Sequence, residues 1–395
     1  MRIAMFTETY PPYINGVATH VSVLTDGLKK LGHDVMVFTA DPKVPRDTLR
    51  DGVLRSPAAV LKKIYGFGLP SPYSVSRMRA VREFDPDVIH IHTEFGMGLF
   101  GVRAARKLKK PMVYTMHTMY DEYVWYLVPK KLLHLGQQLM RAYIWNFARW
   151  ANALTGPSYK VQEYFKQLGV KTPVHVVHNS AELDQFSPQN ISEKGKAAFR
   201  AKYRIPDDDM ICCFCGRLGK EKSCDVLLDY WAAAIRPEDH IRLVVIGDGP
   251  VRGELQQQAK RLGLDGQVIF TGKVEHKDMP AYYASCDVYV TASLSDTNSI
   301  SMLEGMATGL PVLQRLDPLI AEQVVNGVNG YVFDSAEELR RYLLRIQRLK
   351  PDELQALKAS VVRSVQASGS VELAKNLLAV YRSVQGRPCY KHRFH

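Results

Sequence analysis

No run of about 18 apolar residues occurs anywhere in the 395-residue chain, so no segment is long enough to cross a bilayer as a helix. The apolar opening at residues 1–6 breaks at Thr7-Glu8, too early for a secretory leader. Cysteine is scarce and one-sided. Cys212, Cys213, Cys215, Cys224, Cys286 and Cys389 all fall in the second half without a second cluster at zinc-like spacing. They read as reduced thiols, and the chain as cytoplasmic. Neither half carries a G-x-G-x-x-G fingerprint after its first strand, and no G-x-x-x-x-G-K-[ST] loop occurs. These absences argue against nicotinamide, flavin and P-loop chemistries. Low-complexity segments and short-period repeats are missing too.

Hydrophobic residues make up 46% of the chain and charged residues 23%, a composition that packs a core rather than staying disordered. At about 100–200 residues per domain, the length predicts two or three domains. The formal charge of +12 is unevenly placed. Residues 1–172 hold 24 Lys+Arg against 13 Asp+Glu, whereas residues 173–395 hold 28 against 27. Such asymmetry implies an anionic partner, nucleic acid or an acidic membrane. Arg103, Arg106, Lys107 and Lys110 share one helical face, opposite Val102, Ala105 and Leu108. Residues 62–67 and 124–133 interleave aromatics with lysine, a pattern that suits an anionic membrane surface. No nucleic-acid motif accompanies the charge. A solvated helix face is the plain alternative.

Short apolar runs at residues 2–6, 34–38, 87–91, 112–116 and 153–155 alternate with helical patterns, including 97–109 and 131–150. Val17, Val21, Leu24, Leu28 and Leu31 mark the first helix. The plan repeats at 211–215, 243–246, 268–270, 288–290 and 311–313. Alternation of this kind predicts α/β architecture, two doubly wound domains with parallel sheets. The expected divisions are 1–180, 181–370 and a final helix with a basic tail at 371–395, the helix crossing back to the first domain. Two such domains facing each other would leave a cleft at the carboxyl ends of their strands.

Three places carry chemistry. Residues 7–17, stiffened by Pro11-Pro12, end in Asn15-Gly16 at a helix start, which reads equally as turn chemistry or as N–H groups presented to an anion. Arg217 and Lys222 sit in a short Gly-containing loop after the first strand of the second half. They fit either a diphosphate clamp or a solvated basic turn. Asp296 and Glu304 flank a polar loop and a helix start, and a carboxylate accepts two hydrogen bonds from sugar or ribose hydroxyls. Two metal-like patterns have plain readings. Asp85-Pro86-Asp87 reads as a structural turn, and His90 with His92 lacks a third ligand at metal spacing.

Taken in order, several short stretches resemble the retaining, nucleotide-sugar-dependent glycosyltransferases of family 4. They are the Thr-Glu-x-Tyr-Pro-Pro…Asn-Gly-Val opening, residues 86–92, Gly-Arg-Leu…Glu-Lys, Ile-Gly-Asp-Gly-Pro at 246–250, Phe-Thr-Gly at 270–272, the two carboxylates, and residues 327–333. The resemblance covers about residues 1–385 and implies a GT-B fold of two Rossmann-like domains. Residues 92–96 and 115–123 look most like bacterial diacylglycerol glucosyltransferases, enzymes that use UDP-glucose on the cytoplasmic membrane face.

The resemblance implies roles residue by residue. Arg217 and Lys222 would stabilise the departing diphosphate by fixed positive charge. Glu304 would hold the ribose and Asp296 would sit beside the donor sugar, on a turn continued by Asn298, Ser299 and Ile300. Gly272, Lys273 and Val274 would hold the base. Asn15 and Gly16 would close over the phosphates. His117 would lie near the reacting sugar and acceptor hydroxyl, as a positioning group rather than an obligatory base. No metal and no cofactor are implied beyond the nucleotide-sugar substrate. The partners implied are UDP-glucose, a lipid acceptor such as diacylglycerol and an anionic membrane surface, with no nucleic acid, and a peripheral location on the inner face of the cell membrane. Open alternatives are a phosphoinositide, polyprenyl-linked or soluble acceptor, or a non-catalytic nucleotide-sugar-binding scaffold. Three departures bear on activity: Asp296 replaces the usual Glu and its glycine-containing turn, Asn15-Gly16 replaces Gly-Gly, and residues 179–182 replace Thr-Gly-Ile-Asp.

Overall fold

The computed structural model describes residues 1–13, 15–61, 67–120, 124, 128–181, 183–188, 193–296, 298–319, 323–366 and 369–389. It divides into two compact units, Met1–Ser180 with Ser370–His395, and Ala181–Gly369.

The first unit opens with β1 (Arg2–Thr7), α1 (Gly16–Lys30) and β2 (Asp34–Ala40). Four short strands follow: β3 (Thr48–Arg50), β4 (Val53–Ser56), β5 (Ala58–Leu61) and β6 (Phe67–Pro70). Next come α2 (Val75–Phe84), β7 (Val88–Ile91), α3 (Gly96–Leu108) and β8 (Met112–Thr115). The run ends with α4 (Leu133–Ala148), β9 (Ala153–Gly156), α5 (Tyr159–Gln167) and β10 (Val174–Val176). Eight strands form one sheet in the order β10-β9-β8-β7-β1-β2-β4-β3, parallel except where β3 meets β4. β5 and β6 make a separate antiparallel pair. Central strands are apolar at successive positions because both faces are covered, and β7 and β8 are buried throughout. One face packs Phe6, Phe38, Phe100, Ile144 and Phe147. The other packs Val21, Leu24 and Leu28 of α1 against Leu377 and Tyr381.

The second unit contains α6 (Glu193–Tyr203), β11 (Met210–Cys215), α7 (Cys224–Ala234), β12 (Ile241–Ile246), α8 (Arg252–Arg261) and β13 (Val268–Gly272). It continues with α9 (Met279–Ala284), β14 (Val288–Thr291), α10 (Ile300–Ala307), β15 (Val312–Arg315), β16 (Gly330–Phe333), α11 (Ala336–Gln347) and α12 (Pro351–Gln366). Its six strands are all parallel, in the order β13-β12-β11-β14-β15-β16. Cys212 and Cys213 are core thiols of β11, and none of the six cysteines is in a disulfide.

The last helix, α13 (Ser370–Val384), belongs to the first unit and lies on α1. The approach is close: a Cβ on Gly27 would stand 2.0 Å from the Ser370 carbonyl oxygen. Alanine normally gains up to about 1 kcal/mol over glycine inside a helix. Here overpacking outweighs that gain, and Gly27→Ala is expected to lower stability by about 1–3 kcal/mol in chemical denaturation. An unchanged midpoint would show that α13 shifts without cost.

Every apolar run named from the sequence is a strand. The strands not foreseen are β3 to β6, β10 and β16. β3 is exposed at all three positions and the others are three or four residues long, so none shows an apolar period. With α13 included, the first unit holds 29 basic and 14 acidic residues, a net of +15, and the second a net of −3.

Candidate active site

In the second unit the strand order reverses between β11 and β14. Loops leaving the carboxyl ends of these two strands diverge there, and doubly wound sheets bind ligands at such a point. Arg217–Lys222 follow β11, and residues 293–299 follow β14. The two loops meet through ions. Lys222 Nζ donates to Asp296 Oδ1, and Arg217 donates to Glu221, whose side chain is 1% exposed. Ser295 Oγ donates to the Glu221 carbonyl at 2.6 Å. Tyr289 and Ser301 hydroxyls both reach the Cys215 carbonyl, at 3.1 and 3.0 Å. The loop after β12 seals the arrangement from beside: a Cβ on Gly247, at φ 137°, would stand 1.9 Å from the Gly216 oxygen. Arg217, Lys222 and Asp296 thus form one constellation, and each cation already faces a carboxylate.

Glu304 stands in another polar group of the same unit. It is buried on α10, takes a hydrogen bond from Tyr283 at 3.3 Å and lies 2.9 Å from His276 Nε2. His276 escaped the sequence reading, since a histidine in a short turn after β13 carries no pattern. Gly272 ends β13 at φ 75°, Lys273 pairs with Glu275 at 3.0 Å, and Val274 packs on the core. Asn298 is buried, and Ser299 caps α10 by accepting from the Met302 N–H. Ser299 has φ −72°, a region open to any residue, so the serine that departs from the family's glycine turn sits there unstrained. Thr297 and Glu182, two of the departing residues, lie outside the described residues.

In the first unit the order reverses between β1 and β7. Asn15, after β1, caps α1: its Oδ1 accepts from the Ala18 N–H at 2.9 Å and from the Thr9 hydroxyl at 3.3 Å. Gly16 is the first helical residue, leaving other first-turn N–H groups of α1 as its anion-facing donors. After β7 and β8 stand His92 and His117, with His92 Nδ1 3.1 Å from His117 Nε2. His20, from the buried side of α1, stacks edge-on to His117 at 4.5 Å and meets Asn179 Oδ1 at 2.9 Å. His90 lies beneath, held between Thr115 and Tyr381 hydroxyls at 2.7 Å each. Burial, with repulsion from neighbouring imidazoles at His90, His92 and His117, holds all four rings neutral; His20 is lowered to about 4. A neutral ring both donates and accepts, as a site for sugar hydroxyls requires.

Two carboxyls of the same unit, Glu8 and Glu94, are buried without any sequence pattern to mark them. Glu8 accepts from the Met97 N–H at 2.7 Å, capping α3 in place of Phe95, which offers no side-chain cap. Glu94 accepts from Tyr114 at 2.6 Å, and desolvation raises its carboxyl to about 8.

The fold groups His92 with two histidines other than His90: ring nitrogens of His20, His92 and His117 lie within 4.8 Å of one another. Asp85 and Asp87 serve structure. Asp87 accepts from the Arg2 N–H at 2.8 Å, and Asp85 holds Arg2 and Lys110 at 2.8 Å each. Lys110 is therefore paired and leaves the basic stripe predicted with Arg103, Arg106 and Lys107. Residues 62–66 and 125–127 of the two aromatic-basic stretches, and the basic tail from 390, lie outside the described residues.

Residues 14–185 match Glycosyltransferase Family 4, and residues 195–360 match Glycosyl transferases group 1. A GDP-mannose-dependent alpha-mannosyltransferase of Mycobacterium tuberculosis is 30% identical over 322 residues, covering 79% of this chain and 78% of that protein. This chain is a family 4 glycosyltransferase. Alpha-monoglucosyldiacylglycerol synthases are similar at 29% identity. The one from Streptococcus pneumoniae covers 89% of this chain and 79% of its own length; that of Acholeplasma laidlawii covers 96% of each. Among solved structures, HepE of Anabaena in complex with UDP shares the fold at a TM-score of 0.72 and 19% identity, covering 97% of this chain and 100% of its own. The family 4 enzyme is thus a hexosyltransferase with two Rossmann-like domains of the GT-B type. No described helix is long and apolar enough to cross a membrane.

Proposed function

We propose that this family 4 enzyme transfers glucose from UDP-glucose to a lipid acceptor of the diacylglycerol type, with retention of configuration. The observation that carries the reading is the similarity to alpha-monoglucosyldiacylglycerol synthase across 96% of both chains. In the reaction, the acceptor hydroxyl oxygen bonds to the anomeric carbon as the bond from that carbon to the phosphate oxygen breaks. The acceptor proton goes to the leaving phosphate, so no protein base is needed. Arg217 and Lys222 exchange their carboxylate partners for the diphosphate as its charge grows. Asp296, released by Lys222, accepts from donor hydroxyls, and Glu304 with His276 holds the ribose. Gly272, Lys273 and Val274 border the base, with Asn298, Ser299 and Ile300 along the donor turn. In the first unit, the N–H groups that open α1 at Asn15-Gly16 suit an anion, and the neutral ring of His117 suits a sugar hydroxyl. The acceptor surface is the first unit, whose net charge of +15 and exposed Leu132, Leu135 and Leu139 suit an anionic bilayer.

Incubation with labelled UDP-glucose and diacylglycerol in vesicles containing phosphatidylglycerol is expected to yield glucosyl lipid. Transfer only from GDP-mannose, the donor in the name of the 30% identical relative, would move the donor assignment. Transfer only to a soluble acceptor would end the lipid reading. No metal takes part in these steps. Prolonged EDTA treatment is expected to leave turnover within about twofold; its abolition would direct attention to His20, His92 and His117.

A further inference from the structure

One groove of the first unit shares no lining residue with either site just described. It has a volume of about 1080 Å³ and runs between α2 and α3, with Trp150 and Cys389 also in its lining. Its walls carry Arg79, Arg82, Arg103, Arg106 and Lys107, all exposed, and no carboxylate among the described residues lines it. Two of these cations are pre-oriented. Arg103 stacks on Tyr73 at 3.8 Å and Arg106 on Trp150 at 4.2 Å, so each guanidinium is held against an aromatic ring. Arg77, which does not line the groove, is buried against its lining residue Phe100 and faces Asp47 at 3.8 Å. Five cations crowded without counter-charge repel one another, and an anion placed among them relieves that cost.

We propose that this groove binds the phosphodiester headgroup of an anionic phospholipid, giving the enzyme a lipid-reading site distinct from its donor and acceptor positions. The proposal rests on the membrane-docking reading above. Guanidinium groups match phosphate oxygens two at a time. The rim is apolar where a bilayer would begin, with Val75 81% and Tyr73 64% exposed. Nucleic acid fits less well. Both aromatic rings that could stack on bases already carry a guanidinium, and Val75 offers nothing to a phosphate backbone.

The test compares the full chain with Arg82→Gln/Arg103→Gln/Arg106→Gln in sedimentation with phosphatidylcholine vesicles containing phosphatidylglycerol. The triple variant is expected to bind about 100-fold more weakly, at roughly one lysine- or arginine-equivalent of surface attraction per site removed. A control with the same charge change elsewhere on the unit, Lys29→Gln/Lys166→Gln/Lys171→Gln, is expected to lose under about fivefold. Equal losses in the two triples would mean diffuse attraction and overturn the site. Soluble glycerol phosphate competing as well as vesicles would overturn the lipid source, as would a DNA duplex whose binding depends on the groove more than vesicle binding does. If the triple variant melts early, Arg79→Gln and Arg82→Gln singly carry the comparison at about fivefold each. Glucosyl transfer to diacylglycerol in nonionic micelles is expected to be equal in wild type and triple variant. Its absence from both would sink the proposed function while leaving the vesicle result standing.

Discussion

Replacing Lys222 with alanine is expected to lower kcat by about 10²–10³-fold, the usual consequence of removing one preorganised charge from a developing anion. The structure adds a second cost. Lys222 holds Asp296, and both side chains are only about one-fifth exposed, so the variant leaves a half-buried carboxylate with its cation gone beside an incoming diphosphate. Donor affinity should therefore fall along with kcat, read as loss of the melting-temperature rise expected when UDP is added to wild type. Adding Asp296→Asn to Lys222→Ala should recover part of the UDP affinity, because the repulsive charge is gone, without recovering kcat. Arg217→Ala is expected to match Lys222→Ala in kcat and to be less stable, since Glu221 is almost fully enclosed. A variant whose kcat is intact while KM rises would show that these cations bind the donor without stabilising its leaving group.

The second large effect concerns pH. Glu94 has a folded value near 8 against an ordinary 4.5, caused first by desolvation. Between those values the native state holds a proton that the unfolded chain has released. Its contribution is thus full below about 4.5 and is lost as pH rises toward 8, at up to about 1.4 kcal/mol per pH unit. The histidines act in the opposite sense. His20 falls from 6.5 to about 4, so between these values the unfolded chain takes up a proton that the native state refuses, and stability is lost as pH falls. His90, His92 and His117 shift the same way. Together these groups place maximal stability near pH 6.5. Glu94→Gln keeps an acceptor for Tyr114 and cannot ionise. Relative to wild type it is expected to gain on the order of 4 kcal/mol in chemical denaturation between pH 5 and 8. Parallel curves for the two proteins across that range would show that Glu94 is ionised in the native state.

Much of the site was legible one residue at a time. Arg217, Lys222, Asp296 and Glu304 stand at strand ends or helix starts, where loop chemistry is visible as Gly, charge and polar runs. Their pairing was not legible, because Lys222 and Asp296 are 74 residues apart and meet only when β11 and β14 become neighbours. His20 left a faint signal, a polar residue on the apolar side of α1 beside Val21 and Leu24. Glu8 and Glu94 left none, since a carboxyl in a loop looks solvated until the sheet closes over it. The basic stripe was partly misread. Lys110 is bound to Asp85, and Arg79 and Arg82 enter from the preceding helix, α2.

What this chain's sequence determined by itself was local and periodic. The alternation of apolar runs and helical stripes sets two parallel sheets, because each run can bury both faces only between helices. The absence of a glycine-rich nucleotide loop narrows the chemistry, and the order of short motifs supplies the family. Tertiary structure decided which charges compensate one another, which histidines stay neutral and where the excess positive charge gathers. Each of those depends on burial and on distances of a few ångströms between residues remote in the chain. Coulomb energy and desolvation are set by such distances and not by sequence spacing.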